Sequence, residues 1–309
     1  MQALLDVILP VFLVVGFGYI VVWRKLFSTA AVDGLMSYTQ NFAIPCLLFM
    51  ALIKIDLGQA YSFRLMGSYY IGAASGFALG FLGARYIFKR NAEDSVAIGF
   101  VSLFSNSVMM GLAITERAYG VDALVANFAI VSLHAPFCYF VGITAMEIAK
   151  SDGDSIAQVA LNVGKSMMKN ALFIAILLGL LVNIADVALP KAFLDGTNMV
   201  ATTALPAALF GMGGVLYQYR PEGDFGAIAW VVGISLLVHP AIVWSLGQLW
   251  DLSISELRSA VLTSAMAPGI NCYIFASMYN RAKRVAASGV LIATALSVLT
   301  IWCWLQVLP

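Results

Sequence analysis

The sequence predicts an all-α integral membrane protein, with ten transmembrane helices arranged as two inverted five-helix repeats. Three observations lead to this fold class. Of the 309 residues, 61% are hydrophobic and only 11% are charged, and the mean hydropathy is +0.92, values far from those of soluble domains. A proline-centred phrase occurs once in each half of the chain, and basic residues are divided unevenly between the connections.

Ten apolar segments are each long enough to cross a membrane, because a helix needs about 20 residues to span the hydrocarbon layer. They cover residues 3–23, 35–53, 65–88, 95–115, 124–148, 168–188, 198–217, 226–249, 257–279 and 285–307. The first predicted repeat is residues 1–149 and the second is residues 168–309. Residues 150–167 form the predicted linker, which we expect on the cytoplasmic side.

The positions of the basic residues predict the orientation of the chain in the membrane. Twelve of the 17 Lys and Arg residues lie on or beside the connections after odd-numbered spans: Arg24, Lys25, Arg85, Lys89, Arg90, Lys150, Lys165, Lys169, Arg220, Arg281, Lys283 and Arg284. Because cytoplasmic connections carry an excess of basic residues, we expect both chain ends on the extracytoplasmic face. Five spans per repeat is an odd number, so the second repeat must be inverted relative to the first.

The duplication is visible around two prolines, in the phrases IPCLLF at Pro45 and LPAALF at Pro206. At an offset of 161 residues Pro45 aligns with Pro206, and Gly18 aligns with Gly179. A proline in a membrane helix commonly does no more than kink it. Two prolines in register, in the same local phrase, indicate instead that the halves are repeats.

Polar or helix-breaking residues also interrupt the fourth and ninth spans. They are Ser105, Asn106 and Ser107 in the fourth span, and Pro268, Gly269, Ile270 and Asn271 in the ninth. At 1.5 Å per residue, Asn106 lies about 16 Å and Asn271 about 20 Å into its span, near the middle of a layer about 30 Å thick. Each of these spans is therefore predicted to be two half-helices.

The half-helices that begin near Ser107 and near Cys272 would present free backbone N–H groups and positive dipole ends to a common centre. Such a centre suits a carboxylate. The acidic residues lie mostly at span ends, so the centre itself is neutral and fits an organic anion better than a bare cation. The predicted substrate-binding residues here are Ser105, Asn106, Ser107, Gly269, Ile270, Asn271 and Cys272.

Four further polar residues leave two interpretations open. His134 and His239 fall near mid-depth, each close before a proline. Either could couple transport to protons, because histidine titrates near neutral pH, or could be a neutral side chain satisfied by a carbonyl that the proline frees. Gln40 and Asn41 precede Pro45, where they could face the binding site or cap a helix kink.

The remaining sequence features predict close helix packing in the third span and give no sign of an enzyme or metal site. A ridge of small residues on the third span, Gly72, Gly76 and Gly80, predicts close helix packing. The four cysteines have no metal-ligand spacing. No hydrolase, zinc-protease or phosphate-loop motif is present. We therefore expect neither an enzyme nor a cofactor or metal site, and no nucleic-acid partner.

The stretch from Asn41 to Phe49, the ten spans and the broken fourth and ninth spans resemble the auxin efflux carrier family, which includes plant PIN-FORMED transporters and bacterial malonate or other organic-acid carriers. The resemblance covers essentially the whole chain. Plant members have a proline-flanked asparagine at both crossings. Here Pro268 and Asn271 match the second crossing, whereas Asn106 lacks the proline at the first.

The resemblance implies a fold similar to bile-acid sodium symporters and sodium/proton antiporters. In such folds spans 1, 2, 6 and 7 form a scaffold that is usually dimeric, and spans 3–5 and 8–10 form a mobile transport domain. We therefore expect a homodimeric secondary transporter of small organic anions, auxin-like or dicarboxylate, working by elevator-type alternating access in a bacterial inner membrane. The alternatives are a proton- or sodium-coupled symporter or antiporter, and a ligand-binding membrane receptor without translocation.

Overall fold

The computed structural model describes residues 4–150, 161, 168 and 170–309, and these residues contain helices and no strand. The helices, numbered in chain order, are α1 (Leu5–Trp23), α2 (Thr29–Leu52), α3 (Phe63–Ile87), α4a (Ala92–Leu103), α4b (Ser107–Leu112 continued by Ala113–Tyr119), α5 (Val121–Lys150), α6 (Ala171–Ile184), α7 (Lys191–Gln218), α8 (Phe225–Leu249), α9a (Ile254–Ser264), α9b (Ile270–Tyr279) and α10 (Lys283–Val307). A single turn, Leu57–Ala60, precedes α3.

Within the described ranges, seven helices are long and apolar enough to cross a membrane: α1, α2, α3, α5, α7, α8 and α10. The protein is therefore an integral membrane protein. The fourth and ninth predicted spans are each divided into two shorter helices, and the sixth, predicted over residues 168–188, is an apolar helix of 14 residues, Ala171–Ile184. The predicted linker, residues 150–167, lies outside the described residues except for Lys150, which ends α5, and Leu161.

Polar side chains define where many helices begin. They accept hydrogen bonds from backbone N–H groups in the first turn, which have no partner inside the helix. The capping residues are Ser28, Ser62, Asn91, Asn170, Asp224 and Ser253. Because each cap lies at the edge of an apolar stretch, the local sequence sets the helix starts.

Both prolines of the repeated phrase lie next to a local irregularity in a continuous span. Pro45 follows a π-helical turn, Thr39–Ala43, within α2. Pro206 lies near the start of the second part of α7, just after a turn at Thr202 and Thr203. A proline cannot donate the hydrogen bond that a regular helix requires of it, and the wider turn before Pro45 adjusts the backbone accordingly.

The chain separates into two compact units. The four-helix unit, Val11–Ala60 and Leu161–Gln218, contains most of α1 with α2, α6 and α7. The six-helix unit, Met1–Pro10, Tyr61–Ala160 and Tyr219–Pro309, contains α3, α5, α8, α10 and both divided helices.

Two glycines allow close helix packing in the four-helix unit. A Cβ atom on Gly18 of α1 would lie 2.0 Å from the carbonyl oxygen of Phe210 in α7. A Cβ atom on Gly179 of α6 would lie 3.3 Å from the carbonyl oxygen of Phe49 in α2. The sequence offset of 161 residues relates Gly18 to Gly179 and Phe49 to Phe210. The two contacts are therefore made by corresponding residues of the two halves, with the partners exchanged.

The glycine ridge of α3 packs as the sequence predicts. A Cβ atom on Gly76 would lie 2.7 Å from the carbonyl oxygen of Ser102, and one on Gly80 would lie 2.6 Å from the Ser102 hydroxyl. On the same helix, a Cβ atom on Gly72 would lie 2.5 Å from Val243 of α8. The ridge thus holds α3 against α4a and α8, and the predicted packing role is confirmed.

Ion pairs join three connections at one end of the six-helix unit. Arg90, between α3 and α4a, donates to the carboxylate of Asp224 before α8 at 2.8 Å. Arg281, between α9b and α10, donates to the carboxylate of Glu93 in the first turn of α4a at 2.5 Å. These connections all carry basic residues that the sequence assigns to one membrane face.

Candidate functional site: the helix crossing

The two divided helices meet at a crossing formed by residues 104–107 and 267–271. Ser105 and Pro268 form an antiparallel bridge. The N–H of Asn106 donates to the Ala267 carbonyl at 2.8 Å, and the N–H of Gly269 donates to the Phe104 carbonyl at 3.0 Å. Buried backbone that leaves helical geometry needs hydrogen-bond partners within the protein, and the bridge supplies them for Asn106 and Gly269, one in each segment.

Two helices begin side by side at the crossing. α4b begins at Ser107 after Asn106, and α9b begins at Ile270 after Gly269. Neither Asn106 nor Gly269 makes a side-chain capping bond, and a Cβ atom on Gly269 would lie 3.5 Å from the Asn106 Cα. The positive ends of both helix dipoles therefore lie next to each other.

The predicted start of the second half-helix near Cys272 is wrong by two residues. Gly269 has extended backbone angles, φ −78° and ψ 165°, so the helix begins at the next residue. The N–H of Cys272 then donates to the Gly269 carbonyl at 3.0 Å, and its Sγ lies 3.4 Å from the Phe104 carbonyl. The N–H groups without an intrahelical partner are those of Ile270 and Asn271, and Cys272 faces the end of α4a.

The two asparagines of the crossing differ in exposure. Asn106 is buried, with 7% of its surface exposed, whereas Asn271 is half-buried. The hydroxyl of Tyr139 on α5 donates to Oδ1 of Asn271 at 3.4 Å. An aromatic cluster surrounds this contact, in which Phe100 and Phe275 stack with ring centroids 3.9 Å apart. Asn271 therefore presents an amide beside an apolar aromatic wall.

A closed ring of hydrogen bonds fixes the first break. Nε2 of His134 donates to the Ser105 carbonyl at 3.2 Å, which leaves Nδ1 to accept from the Tyr69 hydroxyl at 3.3 Å. The Tyr69 oxygen in turn accepts from the Ser105 hydroxyl at 2.9 Å. All three side chains are buried. The Ser105 hydroxyl, predicted to bind substrate, is thus already bonded to Tyr69, and His134 contacts the break and not a carbonyl freed on its own helix.

His239 lies beside this ring. It is buried on α8, its ring centroid is 5.7 Å from that of Tyr69, and a Cβ atom on Gly72 would lie 3.6 Å from its Nε2. Within residues 4–150, 161, 168 and 170–309, this Nε2 has no hydrogen-bond partner. The structure therefore brings the two predicted histidines to the same side of α3, one fully bonded and one with a free nitrogen.

Four of the predicted residues do not belong to the compact unit that contains the crossing. Gln40, Asn41, Pro45 and Pro206 all lie in the four-helix unit. The Asn41 side chain is exposed, and its Nδ2 donates to the Ser37 hydroxyl one turn earlier at 3.2 Å.

Sequence reasoning missed three contributions in the six-helix unit. Tyr69 and Tyr139 contact residues of the two breaks, and Asn127 on α5 joins α4b to α9a through two threonines. An asparagine inside an apolar span is a signal that could have identified the last of these, because polar residues at membrane depth are rare. The tyrosines carry no such signal.

The comparisons with known proteins agree with this architecture. The model of the membrane transport protein family matches residues 3–305. A Rhizobium meliloti (strain 1021) protein named "Putative malonate transporter" is 23% identical over 309 residues, which cover 97% of this chain and 94% of that protein. An uncharacterized transporter of Methanocaldococcus jannaschii is 21% identical, with 97% of each chain covered.

A third relative is the lysosomal cholesterol signaling protein of Mus musculus, which is 25% identical over 340 residues. The match covers 99% of this chain and 38% of the mouse protein. The family is one of membrane transporters and not of enzymes. Since the family match runs along nearly the whole sequence, the chain belongs to the membrane transport protein family, the auxin efflux carriers that its motifs resemble.

Proposed function

We propose that the protein is a secondary transporter of small organic anions that binds its cargo at the crossing. The observation that supports this most strongly is the adjacent start of two helices at Ser107 and Ile270. Helix N-termini bind carboxylates through free N–H groups and the positive dipole. Two of them together attract an anion without a fixed basic residue.

The crossing also suggests how the cargo is held. The N–H groups of Ile270 and Asn271 and the amide side chains of Asn106 and Asn271 are the donors we assign to the carboxylate. The aromatic wall beside Asn271 would contact the apolar part of the cargo. Ser105 holds the break through Tyr69, so we assign it a supporting role.

One relative bears the name of a malonate transporter, so malonate is the first carboxylate to test, followed by indole-3-acetate as an aromatic acid. Purified protein in liposomes should accumulate labelled malonate or indole-3-acetate down an imposed gradient. Asn271→Ala and Asn106→Ala should each abolish this flux. Asn198→Ala, an exposed position in α7, is the matched control and should leave the flux unchanged.

Normal flux in both crossing variants would contradict the proposed site. Saturable binding of a carboxylate without net flux would instead favour the receptor alternative. If no carboxylate is either bound or transported, the proposed cargo class is wrong.

We further propose that the six-helix unit carries the cargo as an elevator and that the four-helix unit is a dimeric scaffold. The division of the chain into these two units supports this, as does the reciprocal contact of Gly18 with Phe210 and Gly179 with Phe49. That reciprocity is the pattern expected of two inverted repeats. Light scattering of the purified protein tests the dimer.

Movement between the units can be measured by pulsed electron resonance. Spin labels at Leu26 in the four-helix unit and Tyr86 in the six-helix unit, both strongly exposed, should change their separation when malonate is added. Labels at Tyr86 and Met278, within one unit, should not. The accessible cysteines Cys46 and Cys303 are first replaced by serine. An unchanged inter-unit distance would contradict the elevator.

The uneven distribution of basic residues supports a bacterial inner-membrane orientation with both chain ends outside the cytoplasm. The ion pairs of Arg90 and Arg281 at one end of the six-helix unit agree with a single basic face. Protease digestion of intact cells carrying a terminal tag tests this orientation. A tag protected from the external protease would contradict it.

Proton coupling is a second candidate, favoured by Nε2 of His239, which has no hydrogen-bond partner among the residues that the structure describes. Tyr69 and His134 are the titratable groups we find facing it. A proton gradient should then drive malonate uptake by the wild type, and His239→Gln should transport without responding to the gradient. Gradient-driven uptake in His239→Gln would exclude this role.

A further inference from the structure

We propose that a single helical turn, Leu57–Ala60, stores a short length of chain and unwinds when the six-helix unit moves. The proposal rests on the elevator movement proposed above. This connecting turn lies between α2 and α3. The boundary between the two compact units follows it directly, because Ala60 ends a segment of the four-helix unit and Tyr61 begins one of the six-helix unit. Movement of one unit must therefore alter the backbone at or near the connecting turn.

The chain before the connecting turn is fixed to the four-helix unit. Nδ2 of Asn183, near the end of α6, donates to the carbonyls of Leu52 and Ile55, each at 2.9 Å. Leu52 is the last residue of α2, and both Leu52 and Ile55 are buried. The last carbonyls of a helix have no N–H partner within it, and the Asn183 amide supplies one from another helix. Up to Ile55, the connection thus belongs firmly to α2 and α6.

The chain after the connecting turn is fixed to the six-helix unit. The Ser62 hydroxyl accepts a hydrogen bond from the N–H of Leu65 at 3.1 Å and so caps α3. Leu65 is fully buried in the first turn of that helix. The connecting turn therefore lies between two fixed points, Ile55 and Ser62.

The connecting turn is too short to be stable on its own. Its first turn of backbone is held by Asp56, which accepts from the N–H of Gly58 at 3.0 Å and from that of Ala60 at 2.9 Å. Isolated helices of a few residues are marginal in water, and glycine lowers the preference for helix further. Four residues span about 6 Å as a helix and about 13 Å when extended. Unwinding therefore releases about 7 Å of chain.

Two further joints between the units lie within residues 4–150 and 170–309, and neither contains a turn that could lengthen. α7 ends at Gln218, and the next residue, Tyr219, already packs on Tyr273 of α9b with ring centroids 5.0 Å apart. α1 passes between the units at Pro10, just after the π-helical turn Leu4–Ile8. Helices bend at prolines and π-helical turns but do not lengthen there. These two joints can pivot, so the connecting turn must supply the length.

Spin labels on either side of the connecting turn test the proposal. Lys54 and Phe63 are both exposed and lie just outside the two fixed points. Their separation is measured by pulsed electron resonance in the same serine background as the pair at Leu26 and Tyr86. Adding malonate should change the Lys54–Phe63 separation by about 7 Å, over the same concentration range that changes the Leu26–Tyr86 separation.

The two label pairs separate failure of this proposal from failure of the elevator. If the Leu26–Tyr86 separation changes and the Lys54–Phe63 separation does not, the elevator stands and the connecting turn is not its source of length. If neither separation changes, the elevator is contradicted and the proposed unwinding falls with it.

Gly58→Ala tests whether helix formation in the connecting turn controls the movement. The new methyl group would lie 3.4 Å from Oδ1 of Asp56, an exposed side chain that can accommodate it. Alanine favours helix over glycine, so the fraction of molecules with the longer Lys54–Phe63 separation should fall about fivefold. Gly196→Ala in α7 has no heavy atom within 4 Å of its new methyl group and should leave that fraction unchanged. An unchanged fraction in Gly58→Ala would overturn the proposal.

Discussion

Ser105 and Pro268 face each other as the pair of an antiparallel bridge, although neither lies in a strand. The two hydrogen bonds of this bridge come from the residues that flank the pair. A proline can therefore occupy the position, because the N–H that it lacks is not used there. The bridge explains how two buried helices can be divided while the backbone groups beside the divisions keep hydrogen-bond partners.

Two substitutions at Gly269 test whether this bridge stabilises the protein. Gly269→Ala should leave the unfolding midpoint nearly unchanged, because a Cβ atom would meet its neighbours at no less than 3.5 Å and φ is negative. Gly269→Pro fits the same φ but removes the N–H that donates to Phe104. Gly269→Pro should therefore lower the free energy of unfolding by about 1 kcal/mol or more. Equal midpoints for the two variants, measured by thermal unfolding, would show that the bond contributes nothing.

The ring of hydrogen bonds among Ser105, His134 and Tyr69 predicts that Tyr69→Phe lowers the stability of the protein. The variant leaves both the Ser105 hydroxyl and Nδ1 of His134 without their partner, and each such loss costs about 1–3 kcal/mol when buried. Tyr61→Phe is the control. The Tyr61 hydroxyl donates to the Ser132 hydroxyl, which itself donates to the Ala129 carbonyl and keeps that bond in the variant.

Stability and carboxylate flux should therefore fall much further in Tyr69→Phe than in Tyr61→Phe. Thermal unfolding and the liposome assay measure both quantities. A larger loss in the control variant would mean that the ring does not hold the first break.

The close packing of the glycine ridge predicts that a larger side chain there destabilises the protein. Gly76→Ala places a methyl group 2.7 Å from the Ser102 carbonyl oxygen, so α3 and α4a must separate, at a cost of about 1–3 kcal/mol. Gly233→Ala in α8 has no heavy atom within 4 Å of the new methyl group. Its unfolding midpoint should be equal to or slightly above that of the wild type. Comparable destabilisation by both substitutions would refute close packing at Gly76.

The ionised carboxylate of Asp224 should make the stability of the protein depend on pH. Partial burial alone would raise the pKa of its carboxyl, but the hydrogen bond from Arg90 and those from the N–H groups of Ala227 and Gly226 outweigh it, so the pKa lies below the ordinary value. A depressed pKa in the folded state stabilises at neutral pH and ceases to do so as the pH falls through that pKa.

Asp224→Asn keeps a capping side chain and loses only the charge, whereas Asp224→Ala loses both. At neutral pH the unfolding midpoint should be highest for the wild type, lower for Asp224→Asn and lowest for Asp224→Ala. The difference between the two variants reports the helix cap, which contributes about 1 kcal/mol. The advantage of wild type over Asn should shrink in acid. A constant difference at all pH values would contradict the ionic contribution.

The sequence predicted membrane-spanning helices, of which the described residues contain seven, and it predicted where the fourth and ninth spans are divided, in both cases for physical reasons. Length and hydropathy fix a membrane helix, and Pro268 with Gly269 cannot continue a regular one. Contacts between distant residues were not predictable in this way. The hydroxyl of Thr263 meets Asn127 across 136 residues, and no local pattern indicates that pairing. The start of α9b was missed because extended backbone at Gly269 allows helix to begin immediately after it.

The central claim is that the two helix N-termini at the crossing bind an anion, and Asn271→Asp tests it most directly. The substitution keeps the shape of the side chain and places a negative charge beside those N-termini. Binding of malonate and indole-3-acetate is measured by the rise in unfolding midpoint, with Asn198→Asp as the control. The account predicts a saturable rise for at least one of these acids in the wild type and in the control, and none in Asn271→Asp. An undiminished rise in Asn271→Asp would contradict it.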